Sequence, residues 1–94
     1  MSMTLSLSSA RPRLAPHVRL MFDRVRARYV LQTPETVTVL NGTGAAILQL
    51  CEGKETVDEI VATLRGRYDR VRADEVRSFV ARLVTRGYLE PGGD

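Results

Sequence analysis

The chain changes its hydrophobic period once, at Asn41, and that change fixes the order in which strands and helices can occur. Before it, the apolar residues suit extended segments. Val18, Leu20 and Phe22 fall on one face of a first run. Tyr29, Val30 and Leu31 lie in a second, and Thr36, Val37, Thr38, Val39 and Leu40 form a third, rich in β-branched residues. Alternation with β-branched and aromatic enrichment describes a half-buried strand. The polar connection at residues 24–27 and the turn at Pro34 are too short for crossovers, so the three runs predict an antiparallel meander. After Asn41 the spacing becomes three and four. Ala46, Ile47 and Leu50 share one helical face; Val57, Ile60, Val61, Leu64 and Tyr68 share a second; Val76, Phe79, Val80, Leu83 and Val84 share a third.

Local chemistry marks the helix ends. Asn41 or Thr43 can accept a backbone N–H left unpaired at the start of the first helix. Thr56 followed by Glu59 predicts a capping box for the second. Asp74 and Glu75 complement the dipole at the start of the third, and Arg82 and Arg86 at its end. Gly53 and Gly87 suit the left-handed positions that stop helices. Tyr88, Leu89 and Glu90 predict a short closing strand. The expected fold is therefore α+β: a three-stranded antiparallel sheet followed by three helices, winged helix-turn-helix-like. Residues 1–15 lack usable periodicity and are interrupted by Pro12, with Pro16 following. They are expected to form a flexible arm, with the domain at residues 16–90 and a tail at 91–94.

A chain of 94 residues holds one small domain, and 44% hydrophobic with 27% charged residues places it among globular chains. No apolar run is long enough to span a bilayer, and the first ten residues lack the basic start of a secretory signal. Cys51 is the single cysteine, so no intrachain disulfide is expected, and a reducing, cytoplasmic location is.

Catalytic chemistry finds no footing. His17 is the single histidine, and nothing in the sequence links it to Cys51 as a base. There is no glycine-rich phosphate loop and no metal-ligand spacing. Asp58 and Glu59 are adjacent and so do not share a helical face, and Tyr29, Tyr68 and Tyr88 suit packing. No enzymatic activity, cofactor or metal is expected.

Binding is the better prospect. In a meander the first and third strands are edges. The first carries Arg19 and Asp23, whose charges discourage stray pairing; residues 36–40 carry neither charge nor proline. Such an edge can accept an extended peptide as an added strand. The candidate peptide-binding residues are Thr36, Val37, Thr38, Val39 and Leu40 on the strand, with Phe79, Val80 and Leu83 of the third helix as an opposite wall. Arg77 or Arg82 would meet acidic peptide residues. The same edge could pair with a second copy, or copies could exchange N-terminal strands; a monomer is the expected working state.

The net charge of +3 permits nucleic-acid binding without demanding it. The alternative function is a winged-helix DNA binder reading through Arg77, Arg82 and Arg86, but Asp74 and Glu75 occupy the end of that helix that would approach DNA.

Several residues in order carry a family resemblance: Arg11-Pro12, Arg19-Leu20, Asp23, Arg26, Val30-Leu31, Pro34-Glu35, Leu40-Asn41, Ile47-Leu48, Gly53, Thr56-Val57, Ile60-Val61, Leu64, Tyr68, Asp74 and Gly87-Tyr88-Leu89. The chain resembles the PqqD family of pyrroloquinoline quinone (PQQ) biosynthesis proteins over residues 11–89, with departures at His17, Ala27 and Gln32. The resemblance implies a recognition element that binds the ribosomally made precursor peptide PqqA. It implies presentation of that peptide to the radical S-adenosylmethionine enzyme PqqE, which joins a glutamate to a tyrosine within it. Direct binding of the finished quinone is a further use that no local cluster of arginines compels. The iron–sulfur chemistry belongs to the partner, since one cysteine cannot hold a cluster.

Overall fold

The computed structural model describes residues 9–92. The elements in chain order are β1 (Arg13–Leu14), β2 (Arg19–Asp23), β3 (Arg28–Gln32), β4 (Val37–Val39), α1 (Gly42–Gln49), α2 (Val57–Arg65), α3 (Ala73–Thr85) and β5 (Leu89–Glu90). The meander forms as expected, antiparallel and in the order β2–β3–β4. At the β2–β3 turn the Asp23 carboxylate accepts the Val25 and Arg26 N–H groups and pairs with the Arg26 guanidinium at 2.7 Å. Ala27 takes a φ of 56°, a left-handed conformation that glycine would hold with less strain. The β3–β4 turn is closed by Thr33, whose hydroxyl accepts the Thr36 N–H at 3.1 Å.

The helix ends follow their local chemistry. Asn41 caps α1, its Oδ1 accepting the Gly44 N–H at 2.7 Å. Both halves of the capping box at α2 are present: Glu59 Oε1 accepts the Thr56 N–H at 2.8 Å, and the Thr56 hydroxyl accepts the Glu59 N–H at 3.1 Å. Those bonds, with Arg11 nearby, hold the Glu59 carboxyl below its usual range. At the end of α3, Gly87 takes φ 80° while the Tyr88 N–H reaches back to the Leu83 carbonyl and the Gly87 N–H to that of Val84. This paired arrangement satisfies carbonyls that the helix leaves open.

The core lies between one face of the sheet and the helices. Val57, Ile60, Val61 and Leu64 of α2 meet Val76 and Val80 of α3, Ile47 and Leu48 of α1, and Leu31 of β3. Tyr68 departs from its expected place in the α2 stripe. The helix ends at Arg65, so Tyr68 lies in the following loop, 54% exposed.

The arm expected at residues 1–15 needs correction over its last six residues; residues 1–8 lie outside those described. Ala10, Pro12 and Ala15 are buried, and β1 pairs with the closing strand β5 in a second, two-stranded sheet. The Ala10 carbonyl accepts the Val57 N–H at 3.2 Å, the Pro12 carbonyl accepts the Gly53 N–H at 2.9 Å, and the Ala15 N–H donates to the Tyr88 carbonyl at 3.0 Å. The segment ties the start of α2 to the end of α3. Of the tail expected at 91–94, residues 93 and 94 also lie outside those described.

Cys51 is buried, its thiol donating to the Ile47 carbonyl at 3.3 Å. Burial, with a lesser push from the Glu55 charge, raises its pKa from 9.0 to about 12. Unfolding restores the lower value. Above pH 9 the unfolded chain therefore releases a proton that the folded chain keeps, and stability falls as pH rises towards 12, by roughly 1.4 kcal/mol per pH unit. Iodoacetamide at pH 8 should alkylate the folded chain on the order of a thousandfold more slowly than the urea-unfolded chain. Equal rates would show that the thiol is open.

Candidate functional site

The edge of the sheet at β4 is the first part of the site. The Leu40 N–H donates to the Tyr29 carbonyl and the Thr33 N–H to the Thr36 carbonyl, both at 2.9 Å. With Leu31 opposite Thr38, these bonds turn the backbone groups of Thr36, Thr38 and Leu40 inward to β3. Alternate residues of a strand face opposite ways, so the N–H and C=O groups of Val37 and Val39 point away from the sheet. Among the described residues nothing pairs with them. Their side chains are 55% and 42% exposed.

Those side chains lie on the face of the sheet turned from the helices. Met21, Val30 and Val39 stand opposite one another across the three strands, and Met21 is 44% exposed. Leu20, Leu31 and Thr38 form the corresponding row on the inner face. A strand added beyond β4 would meet apolar neighbours at the position opposite Val39 and would place its alternate side chains towards the helices.

A groove of about 750 Å³ is the second part. It begins at Asn41, just past the end of β4. The first turn of α1 forms one wall, α3 the other, and the loop after α2 closes the end. Ile47, Leu64 and Val76 form its buried floor, with Phe79 half-buried beside them. Gly44 allows a close approach where Phe79 meets α1: a Cβ there would lie 3.3 Å from the ring and 3.2 Å from the capping oxygen of Asn41, so those side chains would have to shift by a few tenths of an ångström. Arg82 reaches over Phe79, its guanidinium carbon 6.0 Å from the ring centre. A smaller cavity of about 300 Å³ adjoins Asn41 and Gly42 from the sheet side, against Phe22 and Tyr29, whose rings meet edge to face at 5.1 Å.

The residues singled out in the sequence divide accordingly. Thr36, Val37, Thr38, Val39 and Leu40 lie along the edge, though the strand proper spans only Val37–Val39 and Leu40 is buried. Phe79 and Arg82 line the groove. Leu83 is half-buried against the core beside them. Val80 is fully buried and offers no surface to a ligand. Arg77 lies on the opposite flank of α3, 3.9 Å from Asp58 of α2. Residues 77 and 82 are about 140° apart around a helix that turns roughly 100° per residue, so one ligand cannot meet both. The wall facing α3 across the groove is α1 rather than β4, and Asn41, Ile47 and Tyr68 enter the site although the sequence placed them only in caps and stripes; Gly44 joins them.

Among the described residues no group of three or more histidine, cysteine or acidic side chains is placed to hold a metal ion, and no helix is long and apolar enough to cross a membrane. The arrangement has what a recognition surface needs: an open backbone edge, an apolar face and an adjoining groove.

A three-stranded antiparallel sheet carried on three helices, with one uncharged edge open, is a winged helix-turn-helix-like α+β domain. Residues 28–89 match the family described as Coenzyme PQQ synthesis protein D (PqqD), and the chain belongs to that family. A PqqA binding protein of Rhodopseudomonas palustris (strain TIE-1) is 41% identical over 84 residues, which span 86% of this chain and 82% of the relative. The bifunctional coenzyme PQQ synthesis protein C/D of Methylorubrum extorquens is 43% identical over 83 residues, covering 84% of this chain and 22% of that longer protein. Among solved structures, the PqqD truncation of Methylobacterium extorquens PqqCD superposes with a TM-score of 0.65 at 35% identity, covering 84% of this chain and 87% of that one. That structure is described as a functional, stand-alone recognition element for ribosomally synthesised and post-translationally modified peptides.

Proposed function

We propose that this chain binds the precursor peptide PqqA by adding it as a strand to β4, and presents it to the radical S-adenosylmethionine enzyme PqqE without catalysing a step itself. The observation that carries this reading is the outward aim of the Val37 and Val39 backbone groups on an edge with no charge and no proline. Main-chain bonds to those groups supply affinity, and the rows of side chains on the two faces supply register. The names of the relatives support PqqA as the guest. The working state is a cytoplasmic monomer, because an edge paired with a second copy would be closed to the peptide.

Fluorescence anisotropy with labelled PqqA tests the reading. Binding should saturate at one peptide per chain and weaken only slightly between 50 and 200 mM salt, since few charges are involved. A duplex DNA probe under the same conditions should not compete. Absence of PqqA binding, or DNA binding with a steep salt dependence, would overturn it. The exposed Asp74 and Glu75 at the start of α3 argue against the DNA outcome. Presentation has its own readout: PqqE should modify PqqA faster with this chain present, and an unchanged rate would remove that part.

A further inference from the structure

We infer that the outer face of the sheet, with the tip of the β2–β3 hairpin, docks an acidic protein surface: that of the enzyme receiving the peptide. The inference rests on the presentation reading and names the surface that carries it out.

Charge is concentrated there. Residues 19–28 hold Arg19, Arg24, Arg26 and Arg28 against Asp23 alone, while the rest of the chain balances ten basic residues with ten acidic ones, so this hairpin accounts for the whole net charge of +3. Arg26 is answered by Asp23 at 2.7 Å. Arg19, Arg24 and Arg28 are exposed and, among the described residues, lie within ion-pair distance of no carboxylate. The other arginine-rich stretch is answered locally. Arg65 donates to the Val71 carbonyl, Arg72 lies near Asp74 and Glu75, and Asp69 stands among them.

Apolar surface lies inside this basic frame. Met21, Val37 and Val39 are open on the outer face. Arg19 is two residues from Met21, and Arg28 two from Val30, so strand alternation puts both arginines on that same face, at its opposite ends. Val25 crowns the turn, 96% exposed and outside the core. Turns ordinarily use Gly, Asn, Asp, Ser or Pro, and a branched apolar side chain held in water there buries nothing in the free chain. An apolar centre within a charged rim is the composition of a protein–protein contact, and a basic rim selects an acidic counterpart. Continuity names the occupant. A peptide added at β4 places alternate side chains on this same face beside Val39. A protein seated on the face therefore touches recogniser and guest together, as delivery requires. A nucleic acid would answer the arginines but leave the apolar row wet.

The test measures binding to immobilised PqqE with PqqA present, for the parent chain and for Arg24→Glu, Val25→Ser and Arg67→Glu. The last reverses one charge in the other arginine-rich stretch. Arg24→Glu should weaken docking about tenfold, chiefly through slower association, and Val25→Ser about threefold. Arg67→Glu should leave docking unchanged. All three should keep the parent's affinity for PqqA, which reports an intact fold and β4 edge. Docking by Arg24→Glu no weaker than by Arg67→Glu would overturn the inference and leave presentation standing. Loss of PqqA affinity in Arg24→Glu would assign the hairpin to the peptide and overturn it equally, as would duplex DNA or anionic vesicles bound through Arg24 in place of PqqE. A parent chain that does not bind PqqE removes presentation and the surface with it.

Discussion

A Val39→Pro variant should fold and yet bind PqqA on the order of tenfold to a hundredfold more weakly. The two halves of this expectation have one geometric origin. The Val39 N–H points away from β3, so replacing it with a proline ring removes no bond of the native ladder, which runs through Thr36, Thr38 and Leu40. Proline also favours extended backbone at the residue before it, which Thr38 already has. A guest strand, however, loses a donor and meets the ring. Stranding a buried carbonyl costs about 1–3 kcal/mol, which gives the stated range. Thr38→Pro should do the reverse and damage the sheet itself. A folded Val39→Pro chain with undiminished affinity would show that the peptide binds elsewhere.

Removing residues 1–15 should destabilise the fold strongly. The sequence suggests a flexible arm, but its described part is structural. The deletion removes the β1–β5 ladder and the bonds from Ala10, Pro12 and Ala15 to Val57, Gly53 and Tyr88. It also removes the buried Ala10, Pro12 and Ala15 from their places against the fold. Several main-chain bonds at about 1 kcal/mol each, with the apolar contact, make a loss of at least about 3 kcal/mol. For a domain of this size that lowers the melting temperature by roughly 15 °C or more, against a total stability on the order of 5–15 kcal/mol. Melting followed by circular dichroism decides the matter. A truncated chain melting within a few degrees of the full chain would restore the arm.

The contrast between these two segments shows what the sequence makes legible. The meander, the caps at Asn41 and Thr56 and the stop at Gly87 rest on signals contained within a few residues: alternation, a short acceptor side chain, a residue free to take positive φ. β1 has no such signal. It is two residues long, Pro12 precedes it and Pro16 follows closely, and its partner Glu90 is 77 positions along the chain from Arg13. The site divides in the same way. An uncharged strand is visible in residues 36–40, and its place at the edge follows from the order of the meander. The groove is not visible, because it depends on how α1 and α3 approach across the core, and no spacing within either helix encodes that. Helical phase was available for part of it. Val80 shares its face with Val76, which is buried, and Arg77 lies across the helix from Phe79 and Arg82.

Amide hydrogen exchange at β4 tests the central claim most directly. In the free chain Val37 and Val39 should exchange quickly, while Thr38 and Leu40, bonded to β3, are protected. With saturating PqqA, the Val37 and Val39 amides should slow by at least about tenfold while Thr38 and Leu40 stay protected. Unchanged exchange at Val37 and Val39 under saturation would contradict strand addition.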